Sequence, residues 1–552
     1  MPYTVTADTD GAVIADTDGA LFWTIWEPLL GFTEATRPFY VAEITAYEPS
    51  VGEHVIYVSD LGYRTTGTPV QTYPPLLQNG LEIQARVPLD PAQVGAVWAW
   101  GELRIINAIL DFDTIALAWN SDARDVVIKR GVKTWDDTRG LWIDPNYASL
   151  VTVFAGLAQP WRLDETELVV PLRGPEYWLE KPWARPTYGG TGGYDGTLEM
   201  AGTAIPITRG DAFNVPLTLI DDVNNIWQWS DGPGTIAILY EGGAANLIPQ
   251  GITTNLYAGT TNPGYYRTDE SRSLIQLGSV PATGLALTAN VRGLFPTAGT
   301  ITNLILVARY LMTETIGVPV ANVDATSFAD AAVDYPWSGG VYFAPEDQIT
   351  GLDAVMRCVS SIYGKIVPSL TGAIKLFMLR AFDPAATPVA YYTTAEIVRL
   401  TPRALPTSLH PPPKRLRVNW HHNYVVQTSG LSSSTPPDHR QFVALADRVA
   451  IWESATVAAA WRNASDPPAF GGYVQLQIRA QAVADEVGEL YQDGVHQYDM
   501  TVPDQYGFDR EYGDIIHVTH EFGDLDGGKK MQIIGRSLQA GDATVTLTVI
   551  DR

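Results

Sequence analysis

Asp514-Ile-Ile-His-Val518, Gly523-Asp-Leu-Asp-Gly-Gly528, Lys530-Met-Gln-Ile-Ile534 and Thr544-Val-Thr-Leu-Thr-Val549 read in order as strand, turn, strand and strand. In the last segment Val545, Leu547 and Val549 alternate with Thr544, Thr546 and Thr548. Successive strand side chains point to opposite faces, so the pattern predicts one buried and one wet face. Aspartate and glycine between the first two strands supply the turn.

The same pattern runs through the first third of the chain. Phe39–Tyr47, His54–Val58, Glu102–Ile106, Asp125–Ile128, Leu150–Phe154 and Glu167–Leu172 are short runs rich in β-branched and aromatic residues, punctuated by turn formers. Many short strands of this kind imply a barrel or sandwich. Before them, Ala-Asp-Thr-Asp-Gly-Ala is doubled within residues 1–20, which fits a hairpin or a flexible arm. Gly189-Gly-Thr-Gly-Gly-Tyr-Asp-Gly196 breaks the pattern as a linker or long loop. Strands resume at Ile236–Tyr240, Ser273–Gln276 and Leu285–Thr288.

Residues 298–380 change character. Thr302 precedes an apolar run, Leu304–Leu311, that predicts a helix. Thr350 with Asp353 three residues on forms a capping-box signature, and Leu352, Val355, Met356, Val359 and Ile362 recur at helical spacing. Gly364 is expected to end that helix. Lys365–Val367 and Ala373–Leu379, either side of a Ser-Leu-Thr-Gly turn, predict a hairpin. Arg415–Trp420 reads as a strand between proline-rich stretches, and Leu476–Tyr491 as a helix with Val483, Val487 and Leu490 on one face.

The chain has 552 residues, 61 acidic against 36 basic, for a formal charge of −25. A nucleic-acid binder needs cations against phosphate, so this balance argues against one, and against docking on an anionic membrane. It suits a wall that nucleic acid passes without being gripped. One cysteine, Cys358, excludes an intrachain disulfide and a four-cysteine zinc framework. No apolar run reaches the length of a membrane span, and the first twenty residues lack the basic and apolar regions of a secretory signal, so no export by that route is expected.

Asp111 with Asp113, Asp136 with Asp137, and Asp221 with Asp222 lie near Phe112, Trp135, Trp227 and Trp229, the pattern of paired carboxylates and sugar platforms in a glycosidase. Turn caps and solvated charges explain such pairs more simply in so acidic a chain. His517 and His520 are three apart, and His421 and His422 adjacent, so strand geometry sends each pair to opposite faces and disfavours shared metal ligation. Asp524 to Gly528, and Asp493 with Gly494, lack the full ligand series of a calcium loop. Cys358 falls on the apolar helix face and reads as a buried thiol. The glycine loop at 189–196 lacks the Lys-Ser/Thr of a phosphate cradle. No catalytic, cofactor-binding or metal site is expected, and the sixteen tryptophans read as core and interface anchors.

Tyr40–Tyr47 followed by Tyr57–Thr65, Gly101–Ala108 with Asp125–Gly131, and Glu199–Gly210 with Trp227–Gly232 resemble, in that order, the hub proteins of bacteriophage tail tips and baseplates, including those of gene-transfer-agent-like particles. Asp353–Leu379, Arg417–Gln427, and Gly513–Val518 followed by Gly527–Gly535 and Thr546–Val549 continue the likeness. The resemblance implies a mainly β fold with α+β modules, two tail-tube-like β-barrels joined by smaller domains. It divides the chain into an arm at 1–20, a first barrel at 21–186, a β-rich module at 187–297, an α+β module at 298–396 and a second barrel with one helix at 397–552. It implies a non-enzymatic structural protein of the virion, at the distal end of the tail and assembled in the host cytoplasm. Three copies would adapt a sixfold tube to a threefold tip or fibre, seal the tube and open for DNA ejection. The implied partners are two further copies, a distal tail or tube protein, the tape-measure C-terminus and a fibre or tip protein, with genomic DNA only as transiting cargo. A distal tail ring or fibre-attachment protein, and a glycan-binding or glycan-hydrolysing tail protein, are the alternatives.

Overall fold

The computed structural model describes residues 4–8, 11–15, 21–25 and 36–551, apart from 68, 80–81, 91–92, 94–96, 108–110, 165, 381–384 and 541–542. Two large, mostly antiparallel sheets dominate. The first runs, edge to edge, through Gly52–Ser59, Thr36–Glu48, Asp125–Asp136, Val151–Ala158, Glu167–Arg173, Glu102–Ile106 and Leu77–Asn79. The second runs through Val97–Ala99, Glu82–Arg86, Lys529–Gln539, Thr544–Ile550, Gln497–Pro503 and Arg399–Arg403. Ile515–Val518 pairs with the start of Lys529–Gln539. The mainly β expectation with α+β modules holds.

The chain changes sheet between Asn79 and Glu82, and returns at Glu102. Gly101 makes the returning corner at φ +59°, a left-handed conformation that glycine adopts without penalty. A Cβ there would sit 2.9 Å from the Glu82 carbonyl oxygen, so the corner excludes a side chain. The excursion inserts Glu82–Arg86 beside Lys529–Gln539, with Ala85 opposite Arg536. The second sheet therefore pairs residues as far apart in sequence as Glu82 and Gln539.

The sheets share one core. Ile44, Leu103, Val126, Val153, Leu168 and Val170 of the first meet Met500, Ile533, Val545, Leu547 and Val549 of the second, all buried. The final strand shows why its sequence was legible: Val545, Leu547 and Val549 all face this core. Thr548, on its other face, is buried too, and its hydroxyl donates to Asp499 Oδ1 at 2.8 Å.

Between these ends lie two further units. Ile207–Pro216, Gly234–Glu241, Leu287–Gly293 and Gly340–Phe343 form a four-stranded sheet over a core centred on the fully buried Trp229. A five-stranded sheet built around Ile226–Gln228 and Leu274–Leu277 adjoins it. The α+β unit packs the Leu304–Tyr310 and Gly351–Val359 helices and the Gly364–Pro368/Ile374–Met378 hairpin against the Gln477–Gln492 helix. Both halves of the Thr350/Asp353 capping box are formed. Gly364 does not end that helix: it runs on as a 3-10 turn over Ser360–Ile362, and Tyr363 takes the left-handed cap position at φ +59°. The Tyr363 ring is buried and its hydroxyl donates to the Leu89 carbonyl, so tertiary anchoring overrides the preference for glycine there.

Thr4–Asp8 and Gly11–Ala15 pair as a hairpin extended by Leu21–Ile25. The remaining residues of the doubled ADTDGA segment lie outside the described residues. Among the described residues no helix is long and apolar enough to cross a membrane.

Candidate functional site at the seam of the two sheets

Among the described residues, buried charge gathers where the two sheets meet. Arg130, on the Asp125–Asp136 strand, reaches across the seam to Asp504 in the one-turn helix after Gln497–Pro503. Its Nε and Nη2 donate to Asp504 Oδ2 at 2.9 and 2.6 Å, and the two residues are only 4% and 6% exposed. The Phe508 ring covers the guanidinium, with the cation 4.2 Å from its centroid. Both charges are thus taken from water and compensate each other, an arrangement in which removing one partner strands the other. Tyr40, on the neighbouring strand, has its pKa pushed up to about 12 by burial and then by Asp504, against the opposing pull of Arg130.

Two further groups line the seam without full compensation. Arg536 is 4% exposed; its Nη2 donates to the Phe508 carbonyl, while Nε and Nη1 are buried without a partner. Burial lowers its pKa. Glu176, also 4% exposed, follows the last strand of the first sheet. Its Oε1 accepts from Trp100 Nε1 and the Gly174 amide, and its Oε2 has no partner. Burial raises its pKa to about 7, more than the hydrogen bonds lower it.

A second polar joint connects the middle unit to residues 415–475. Asn214 Nδ2 donates to Asn423 Oδ1 at 2.7 Å, and Tyr424 Oη accepts from the Tyr342 amide at 2.8 Å. Phe213 meets His421 edge-on with centroids 4.2 Å apart, and Tyr240 stacks on His439 at 4.2 Å. His421 is held neutral, its pKa lowered to about 4 by burial and by the Arg448 charge. Arg448 Nη1 lies 3.1 Å from His421 Nδ1, which places the imidazole proton on Nε2.

The sequence candidates fall elsewhere and apart. Asp113 accepts from Asn107 Nδ2 at 2.7 Å in the short Asp111–Ala118 helix. Asp136 caps its own hairpin turn through the Thr138 and Arg139 amides, and Asp137 is exposed. Burial works to raise the Asp221 pKa, but bonds from Asn224 and the Tyr257 hydroxyl outweigh it and hold the carboxyl low, and Asp222 is exposed. Among the described side chains of these pairs, no two are hydrogen-bonded to a common group. Trp135 packs edge-on to Trp142 at 5.4 Å, Trp227 donates to Asn225 Oδ1, and Trp229 is core.

His422 bonds Asp447 through Nδ1 at 2.8 Å while His421 turns into the aromatic joint. His517 lies against Tyr391, and His520 Nδ1 accepts from the Phe522 amide. Asp524 pairs with Lys529, and Asp493 caps a helix end. The loop at 189–196 folds around the Asp195 carboxylate, which takes the Gly189 amide and the Thr191 hydroxyl. Cys358 is fully buried, which pushes its thiol pKa up. Among the described residues no group of three or more His, Cys, Asp or Glu side chains is placed to hold a metal ion. Sequence reading missed Arg130, Asp504, Arg536 and Glu176. Their only signal is a charged residue within or beside an apolar strand, which register alone makes buried.

No family model matches the sequence, and no curated protein matches it. The chain has a structural likeness to a tail protein from Neisseria meningitidis MC58, with 8% identity, 93% of this chain and 96% of that chain covered, and a TM-score of 0.36. It has a likeness also to the 43 kDa tail protein of prophage MuSo2 from Shewanella oneidensis, at 10% identity, 88% and 95% coverage and a TM-score of 0.32. The prophage tail protein gp18 from Listeria monocytogenes EGD-e is similar at 8% identity, 93% and 94% coverage and a TM-score of 0.32.

Proposed function

We propose that this chain is a structural protein of a phage tail, and within the tail the hub that joins a sixfold tube to a threefold tip. The observation that carries this reading is the fused pair of large sheets. The second is completed by strands from distant parts of the chain, and the two share a core and are cross-tied by Arg130 and Asp504. A protomer of this kind offers two sheets in a fixed relation, so three copies offer six. Closed symmetric assemblies are the common outcome when a subunit associates with copies of itself. The order of sequence motifs supports the same reading, and the net charge of −25 fits a conduit that phosphate traverses without adhering. Asp136 and Asp221 serve turns and Asp113 bonds Asn107, so cleavage of a host glycan gains no support from them.

Native mass measurement of the full chain tests the proposal. A trimer is the expected species, alone or on addition of tube protein. A hexameric ring would favour the distal-ring alternative, and a strict monomer in both conditions would overturn the hub reading.

A further inference from the structure

Arg415–Trp420 and Arg448–Glu453 are paired strands with Trp420 opposite Arg448. The chain between them, residues 421–447, leaves its own sheet to lie on the middle unit. There the Ser432 amide and the Thr435 hydroxyl donate to the Gly242 carbonyl, each at 2.8 Å, and Asn246 Nδ2 donates to the Ser434 hydroxyl. The Asn214–Asn423 and Tyr342–Tyr424 bonds complete the contact. Within the loop, the Asn423 amide donates to the Ala446 carbonyl at 2.8 Å, and its Nδ2 to the Val443 and Leu445 carbonyls. The loop is thus tied to itself by neutral bonds and clasped to a second body.

His421 sits where the two touch. Its ring meets Phe213 of the middle unit and lies 4.8 Å from Phe442 of the loop, between centroids. Its Nδ1 accepts from Arg448, and its Nε2 is buried without a partner. The Arg448 cation lies over the Phe442 and Trp420 rings, and among the described residues no carboxylate pairs with it. The other charged and titratable groups around the contact are engaged or neutral. Asp211 is held by Arg292 and Gln475, Asp447 by His422, and Arg357 by Asp347. Burial raises the pKa of Tyr342, Tyr424 and Tyr473. His439 stacks on Tyr240, its pKa lowered by burial and then by Arg448.

We propose that residues 421–447 form an acid-released clasp, in which protonation of His421 undocks the loop, still folded, from the middle unit. The added proton goes to Nδ1, the atom into which Arg448 already donates. One hydrogen bond is then exchanged for two opposed cations among apolar rings. Rehydrating them parts the Phe213 contact, while the bonds of Asn423 keep the loop intact as it leaves. The docked pKa of His421, lowered to about 4 from 6.5 by burial and then by Arg448, sets the sense: docking is complete above pH 6.5 and weakens as pH falls toward 4.

Hydrogen exchange of the full chain, corrected for the intrinsic effect of pH on amide chemistry, tests the clasp. The Tyr342 and Ser432 amides report docking, because each donates across the contact, and the Asn423 amide reports the integrity of the loop. Opening at Tyr342 and Ser432 should rise by about two orders of magnitude between pH 6.5 and 4 while Asn423 keeps its protection. His421→Gln, which still accepts from Arg448 and does not titrate, should remove most of that rise. An equal loss of protection at Asn423, or a rise unchanged in His421→Gln, overturns the proposal. Should the variant not fold, the unaltered chain decides: a ratio of Tyr342 to Asn423 protection that stays constant from pH 6.5 to 4 overturns it.

Discussion

The seam of the two sheets and the joint around His421 solve one problem in different ways. Each must hold two units together through buried polar groups. The seam uses formal charges over a large apolar core: Arg130 with Asp504, and the less compensated Arg536 and Glu176. The joint uses neutral groups, an amide pair and histidines kept uncharged among aromatic rings. Charge gives the seam a strong but brittle lock. Neutrality makes the joint dependent on pH.

The largest effect should come from breaking the lock. Asp504→Ala leaves Arg130 buried and unpaired, and a loss of about 3–5 kcal/mol is expected in denaturant titration. The double change Arg130→Met with Asp504→Leu should recover most of that loss, because an apolar pair needs no compensation. A single change as mild as a surface substitution would show that the seam is wetter than its burial indicates.

Next come two opposite pH limbs. The folded-state pKa of Glu176 is raised to about 7 from an ordinary 4.5, so the folded seam binds more protons than the unfolded chain between those values. Its contribution is therefore favourable at low pH and is lost as pH rises from 4.5 through 7. Glu176→Gln, which keeps an acceptor for Trp100, should stabilise the protein by about 2–3 kcal/mol at pH 8 and by little at pH 4.5. His421 runs the other way. Its folded pKa is lowered to about 4 from 6.5, so the unfolded chain binds more protons in that window. Stability is intact above pH 6.5 and falls as pH drops toward 4, by about 2–3 kcal/mol at most. His439, lowered by burial and then by Arg448, adds to the same limb. His421→Gln should flatten this acid limb while leaving the Glu176 limb in place, as read from unfolding midpoints between pH 4 and 8.

The smallest effect serves as the reference. Thr350→Ala removes the capping box in the α+β unit and should cost about 1 kcal/mol at every pH from 5 to 8, altering neither limb. A pH-dependent loss there would mean that the three regions are coupled, and the comparison would need a single cooperative frame.

What the sequence discloses follows the same division. Local patterns were legible: the Val545, Leu547, Val549 alternation, the Thr350/Asp353 box, and the Val483, Val487, Leu490 face all sit where periodicity puts them. The short helix Asp111–Ala118 was not, because its stabilising partner is Asn107 in the preceding loop, with Phe112 N donating to Asn107 Oδ1. The seam was illegible for a stronger reason. Arg130 and Asp504 lie 374 residues apart, and nothing in either local stretch says that a sheet register will oppose them. The passage of Glu82–Arg86 into the far sheet is set by tertiary packing, which no window of sequence contains.

That passage bears on how the protein is made. During synthesis the Glu82–Arg86 segment leaves the ribosome long before Lys529–Gln539, its neighbour in the finished ladder, has been translated. Until then it carries open backbone donors and acceptors, the kind of edge on which nascent chains associate wrongly. Final assembly therefore waits for translation of residues 529–539, and slow, late closure of a highly non-local contact is the expected rate-limiting event.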